Sequence, residues 1–186
     1  LVGCTEVGFA EDGEEIRNGY GSNVSYKRDV FLEVGGYDVN TGRKGDRHIQ
    51  AHEAPVGIRI REEYGTGVVY VADAVVHHTL FGYRGEFRWL VFRSFWQGFS
   101  KRVMELLYPG AQGNESAYLK DLFIRSLPAR TKKAVFGPSL SQVKQILAIL
   151  VFTSAVGLGY LYGLVRQDVL REEVDKENKT NESKTE

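Results

Sequence analysis

Residues 146–165 read ILAILVFTSAVGLGYLYGLV and carry no charge. No other stretch restricts the fold as strongly. A helix rises about 1.5 Å per residue, so this run covers about 30 Å, the thickness of a bilayer's hydrocarbon core. Lys144 and Arg166 bracket it, and Pro138 with Ser139 or Ser141 supplies a start upstream. The pattern predicts one C-terminal transmembrane helix in a unit 138–168; a buried helix of a soluble core is the alternative. Gly159 and Gly163 stand four apart, the spacing of a helix-packing face, although one such pair in one segment carries little weight. Lys and Arg are equally common on both flanks, so they do not orient the helix. The polar end, REEVDKENKTNESKTE, predicts a disordered tail over 169–186.

Charge is balanced, with 24 basic and 24 acidic residues, so no general nucleic-acid-binding surface is indicated. Cys4 is the only cysteine, which excludes an internal disulfide framework and a cysteine zinc site. Residue 1 is Leu, and the natural start is expected further upstream. All four histidines fall within residues 1–83, and residues 84–137 are basic and aromatic.

In residues 86–107, Phe92, Trp96, Phe99, Val103 and Leu106 recur at helical spacing, while Arg93, Gln97 and Lys101 fall four apart on another face. This is an amphipathic helix, either lying in the membrane interface or packed on a core with a solvated basic face. A second helix is expected over 115–127, capped by Asn114 and ended by Pro128. Nearer the N-terminus, SYKRDVFLEVGGYD predicts a short helix through Val34 stopped by Gly35 and Gly36. Pro55 suits the first turn of a helix ended by Gly65. VVYV and AVVHH read as two strands around Ala72 and Asp73, which makes this part α/β.

The stretch with the most chemistry is RHIQAHEAPVGIR, residues 47–59. Glu53 falls where a helix begins, and the positive end of the helix dipole favours an ionised carboxylate there. Such a group can take a proton from a substrate hydroxyl; it is also an ordinary helix start. His48, His52, His77 and His78 with Glu53 offer ligands for zinc, but HExxH is absent and Pro55 opposes a continuous helix through His48 and His52. No P-loop, GxGxxG before a helix, GxSxG or DxD is present.

GSNVSYKRDVFLEVGGYD followed by HEAPVGIRIREEYGTGVVYVADAVVHH resembles the second half of family 2 glycosyltransferases with the GT-A fold. Gly21 and Asn23, Gly35 to Asp38, Arg59 with Ile60, and Tyr70 to His78 carry the match, over about residues 18–80. FRWLVFRSFWQGFSKRVMELLYPGA and the late apolar helix resemble a narrower group, archaeal membrane enzymes of dolichol-linked oligosaccharide assembly.

The resemblance implies that residues 1–83 are the acceptor-side half of a GT-A mixed sheet. It implies inverting transfer from a nucleotide sugar to a saccharide on dolichyl or polyprenyl phosphate, in protein N-glycosylation or surface polysaccharide assembly, at the cytoplasmic face of the cell membrane. Glu53 would be the general base. His52 stands where the family has an acidic neighbour, which leaves the usual acceptor partner replaced. Asn23, Gly35, Gly36, Asp38 and His52 would hold the acceptor, and Arg93, Gln97 and Lys101 the lipid phosphate. His78, with His77 beside it, would bind a divalent metal, Mg or Mn, on the donor diphosphate. The family's DxD ligands and nucleotide-binding half are not in this sequence, so about 100 further residues upstream, or a partner chain, would have to supply them. Two other readings are a non-catalytic membrane-associated partner module that keeps the scaffold, and a small metal hydrolase built on His48, His52, Glu53 and His78.

Overall fold

The computed structural model describes residues 10–16, 19–38, 43–44, 47–49, 53–77, 79–108, 120, 122–137, 139–168 and 170–171. Over these the chain is mostly helical. Strand β1 (Glu15–Ile16) pairs antiparallel with β4 (Val68–Val69), and β2 (Arg43–Lys44) pairs antiparallel with β3 (Arg47–His48). The expected mixed sheet does not appear among the described residues, which show two separate antiparallel ladders of two residues a strand. VVYV contributes only Val68–Val69, and Val75–His77 lies outside any strand. A β-branched apolar run makes a strand only where a neighbour offers its backbone, and among the described residues Glu15–Ile16 is the stretch that does so for Val68–Val69.

Helix α1 (Arg28–Glu33) ends as its glycines require. Gly35 and Gly36 adopt φ +79° and +62°, and their N–H groups return to Leu32 O and Phe31 O at 3.0 and 2.8 Å. Only residues without a Cβ take that backbone cheaply. Helix α2 (Glu53–Tyr64) opens on Glu53 with Pro55 in its first turn, and Gly65 at φ +67° closes it. Val56 and Ile60 of α2 pack with Val34 to form one core, flanked by Tyr26, Val30 and Phe31.

A turn at Gly82–Gly85 leads into α3 (Phe87–Leu107). Beyond it, a π turn at Leu122–Ser126 runs into α4 (Leu127–Phe136). Pro128 therefore starts this helix instead of ending one. The π turn before it is already helical, with Ser126 at φ −70° and ψ −45°, so the helical path runs on through the proline. The described part of the 115–127 expectation begins at Lys120, and Asn114 lies outside the described residues.

Ser139 precedes α5 (Leu140–Val165), the described helix long and apolar enough to cross a membrane. Leu140, Val143, Leu147, Leu150, Leu158, Leu161 and Val165 are exposed along it, while Ala155, Gly159 and Gly163 are buried. The buried residues face α3. The two helices run side by side in the same direction, with Phe87 against Phe152, Phe95 against Tyr162, and Arg102 bonded to Gln167 at 2.7 Å. Glycines set the separation. A Cβ on Gly98 would sit 2.7 Å from the Val156 carbonyl carbon, and one on Gly159 would sit 2.8 Å from that of Phe95. The Gly159/Gly163 pair is thus a packing face, and its partner is α3 of the same chain. A second core joins Ile49, Phe99, Val103 and Leu170, with Trp96, Leu106 and Leu107 around it. So α3 is a packed helix, buried along Ser94, Gly98, Phe99, Ser100, Val103 and Met104, with Phe87 and Phe92 still exposed.

Candidate functional site

Glu53 sits at the N-terminal end of α2, partly buried, with its carboxyl group laid over Gly21. A Cβ at residue 21 would come within 3.2 Å of Glu53 Cδ and overlap Oε1. Glycine at 21 therefore makes room for the carboxylate. Asn23 closes this turn, its N–H bonded to Tyr20 O at 2.8 Å, and its side-chain amide donates to Ala74 O. That bond ties the turn beside Glu53 to the segment that leads to His77.

Two tyrosines sense the charge of Glu53. Burial first, then the neighbouring Tyr37 and the Glu53 carboxylate, push the Tyr26 phenol up to about 12. Burial and Glu53 also raise Tyr37. Both rings pack on Phe31, Tyr26 stacked at 5.5 Å and Tyr37 edge-on at 5.1 Å, and Phe31 lies against Gly36. The glycine turn, the aromatic cluster and the carboxylate thus form one surface.

Asp38 is held from the other side. Tyr108, the residue after α3, donates to Asp38 Oδ2 at 2.7 Å and accepts from Arg59 Nη1 at 3.0 Å. Arg59 Nη2 donates to Gly36 O. Burial and the Asp38 carboxylate drive the Tyr108 phenol upward, with Arg59 pulling the other way. Tyr108 lies in the stretch FRWLVFRSFWQGFSKRVMELLYPGA, but nothing in that stretch marks it as a site residue; only the fold brings it to the Gly35–Asp38 turn. The fork of Arg59 was legible as a motif residue but not as a brace.

The other expected residues fall elsewhere. Arg93, Gln97 and Lys101 occupy successive turns of α3 and are partly buried. His77 is exposed. His52 and His78 lie outside the described residues. His48 is half-buried and packs edge-on against Phe92 at 5.0 Å and near Trp96 at 5.8 Å. Among the described residues no group of three His, Cys, Asp or Glu side chains comes together as a metal site.

No protein-family model matches the chain. No solved structure matches it either. Over 170 residues it is 64% identical to the glucosyl-dolichyl phosphate glucuronosyltransferase of Haloferax volcanii, a match covering 91% of this chain and 54% of that protein. The chain therefore spans about half the length of this curated relative. Gly21 beneath Glu53 and the braced Gly35–Asp38 turn lie in a chain that is, through most of its length, homologous to part of a dolichyl phosphate glycosyltransferase.

Proposed function

We propose that the chain is the acceptor-side half of an inverting glycosyltransferase, anchored at the cell membrane by α5 with its site at the cytoplasmic face. The donor is a nucleotide sugar. The acceptor is a saccharide on dolichyl or polyprenyl phosphate, made for protein N-glycosylation or surface polysaccharide assembly. The relative is named for glucuronosyl transfer to glucosyl-dolichyl phosphate, and that pair of substrates is proposed first.

The observation that carries the reading is the Glu53 carboxylate, seated on Gly21 at the start of α2 in a chain so close in sequence to that relative. Glu53 takes the proton of the acceptor hydroxyl as its oxygen attacks the anomeric carbon. The bond from that carbon to the diphosphate breaks on the opposite face, so the configuration inverts and the nucleotide diphosphate leaves with the electron pair. Asn23, Gly35, Gly36, Asp38 and His52 frame the acceptor sugar, and Arg93, Gln97 and Lys101 offer charge and hydrogen bonds to the lipid phosphate. A divalent ion, Mg or Mn, belongs to this proposal as counter-charge to the diphosphate. The described residues offer His77 toward it but assemble no cluster of ligands, so the acceptor-side chemistry rests on Glu53.

The test is transfer by the intact protein in membranes, from nucleotide-activated glucuronic acid to glucosyl-dolichyl phosphate, with other nucleotide sugars in parallel. A lipid-linked product with inverted anomeric configuration is expected. No product from any donor would overturn the reading, and retention of configuration would overturn the role of Glu53.

A further inference from the structure

We infer that Tyr108 is a positioning residue that fixes where the acceptor-side turn stands relative to the α3·α5 helix pair. The inference rests on the transfer reading above and deepens it. Tyr108 ends α3, its N–H returned to Met104 O at 2.8 Å. The helix behind it cannot slide freely, because Gly98 and Gly159 bring the α3 and α5 backbones into direct contact. Its phenol then joins three elements at once: the Gly35–Asp38 turn through Asp38 Oδ2, α2 through Arg59, and α3 through its own backbone. Arg59 completes the link by holding Gly36 O with its other nitrogen. Helix α2 is the one that opens on Glu53. A single hydroxyl therefore connects the α3·α5 helix pair to the carboxylate-bearing helix and to the turn beside it.

A lipid-linked acceptor is fixed at two points, its tail in the bilayer and its reacting hydroxyl near Glu53. The protein must hold the matching distance, and displacement of reacting groups by about 1 Å costs up to about 10²-fold in rate. An acceptor without a long tail is fixed at one point and follows the site when it shifts. Tyr108 thus matters more for the anchored acceptor than for the free one.

The experiment is Tyr108→Phe in the intact enzyme, reconstituted in bilayers. The ring is kept and both hydroxyl bonds are lost. For glucosyl-dolichyl phosphate, kcat/KM is expected to fall about tenfold, with a smaller fall for a short-chain, water-soluble analogue, so the ratio between the two acceptors drops. Arg59→Lys keeps the charge but cannot hold Tyr108 and Gly36 together, and it lowers the same ratio. Equal losses with both acceptors, or no loss with either, overturn the inference, because the phenol then serves the fold alone. If the unmodified enzyme transfers to neither acceptor, the transfer reading itself fails and this role falls with it.

Discussion

Replacing glycines along the α3·α5 seam with alanine measures how closely the two helices approach. In a helix interior, Gly→Ala gains about 1 kcal/mol of intrinsic stability. Gly157 of α5 has open space around its missing Cβ, so Gly157→Ala is expected to collect that gain, or part of it. Gly98 and Gly159 are the opposite case. Their added methyls meet backbone atoms of the facing helix, at 2.7 and 2.8 Å from carbonyl carbons, and backbone yields only if a whole helix moves. Overpacking of that kind costs about 1–3 kcal/mol, toward the upper end where no side chain can rotate away. The net expectation is destabilisation by about 1–2 kcal/mol at either position, after the helical gain is subtracted. Gly163 falls between: Arg102 Cβ at 2.9 Å is fixed by its backbone, but Arg102 Cγ at 3.0 Å can turn away and no facing backbone atom is as near as at Gly98 or Gly159. Unfolding of the four variants in one detergent, followed by circular dichroism, should rank Gly157→Ala as most stable, then Gly163→Ala, then Gly98→Ala and Gly159→Ala. If Gly98→Ala and Gly159→Ala melt with Gly157→Ala, the helices do not meet at these glycines and the seam is refuted.

Three further outcomes follow from the site. Glu53→Gln in the intact enzyme should lower kcat by about 10²–10⁴ with little change in fold, read as turnover beside melting temperature; unchanged turnover removes Glu53 from the chemistry. Gly21→Ala should displace the Glu53 carboxylate and depress kcat while leaving donor binding intact, checked by nucleotide-sugar affinity beside turnover. The third concerns alkaline stability. Tyr26 titrates near 12 in the fold against an ordinary value of 10. The folded state therefore holds a proton that the unfolded state has released between those values, so this contribution is complete below pH 10 and is lost as pH rises toward 12. A steeper melting-temperature loss over pH 10–12 in the natural protein than in Tyr26→Phe is expected, and parallel curves would refute it.

Helix ends were the most readable part of the chain. The Gly35–Gly36 stop, Pro55 in a first turn, Gly65 and the Ser139 start each rest on local backbone chemistry, and each appears where the residues put it. Val75–His77 lies outside any strand because a β-branched run expresses a propensity and does not supply a pairing partner. Pro128 was misread because a proline is compatible with the start of one helix as well as the end of another. In the candidate site, Glu53 was visible by its place before Pro55. The phenol of Tyr108 was not, since one tyrosine among ten has no local signature and its bonds reach back to Asp38 and Arg59. His48 looked like a ligand by residue type, whereas its ring settles among Phe92 and Trp96.

Leu170 shares a core with Ile49, Phe99 and Val103, although it belongs to the last stretch of the described chain. A ribosome releases the first three long before the fourth. That apolar cluster must wait, partly uncovered, until the chain has been made through Leu170, and loop closure over so long a separation is slow. Truncation just before Leu170 should therefore yield a nascent product that chaperones hold and proteases find.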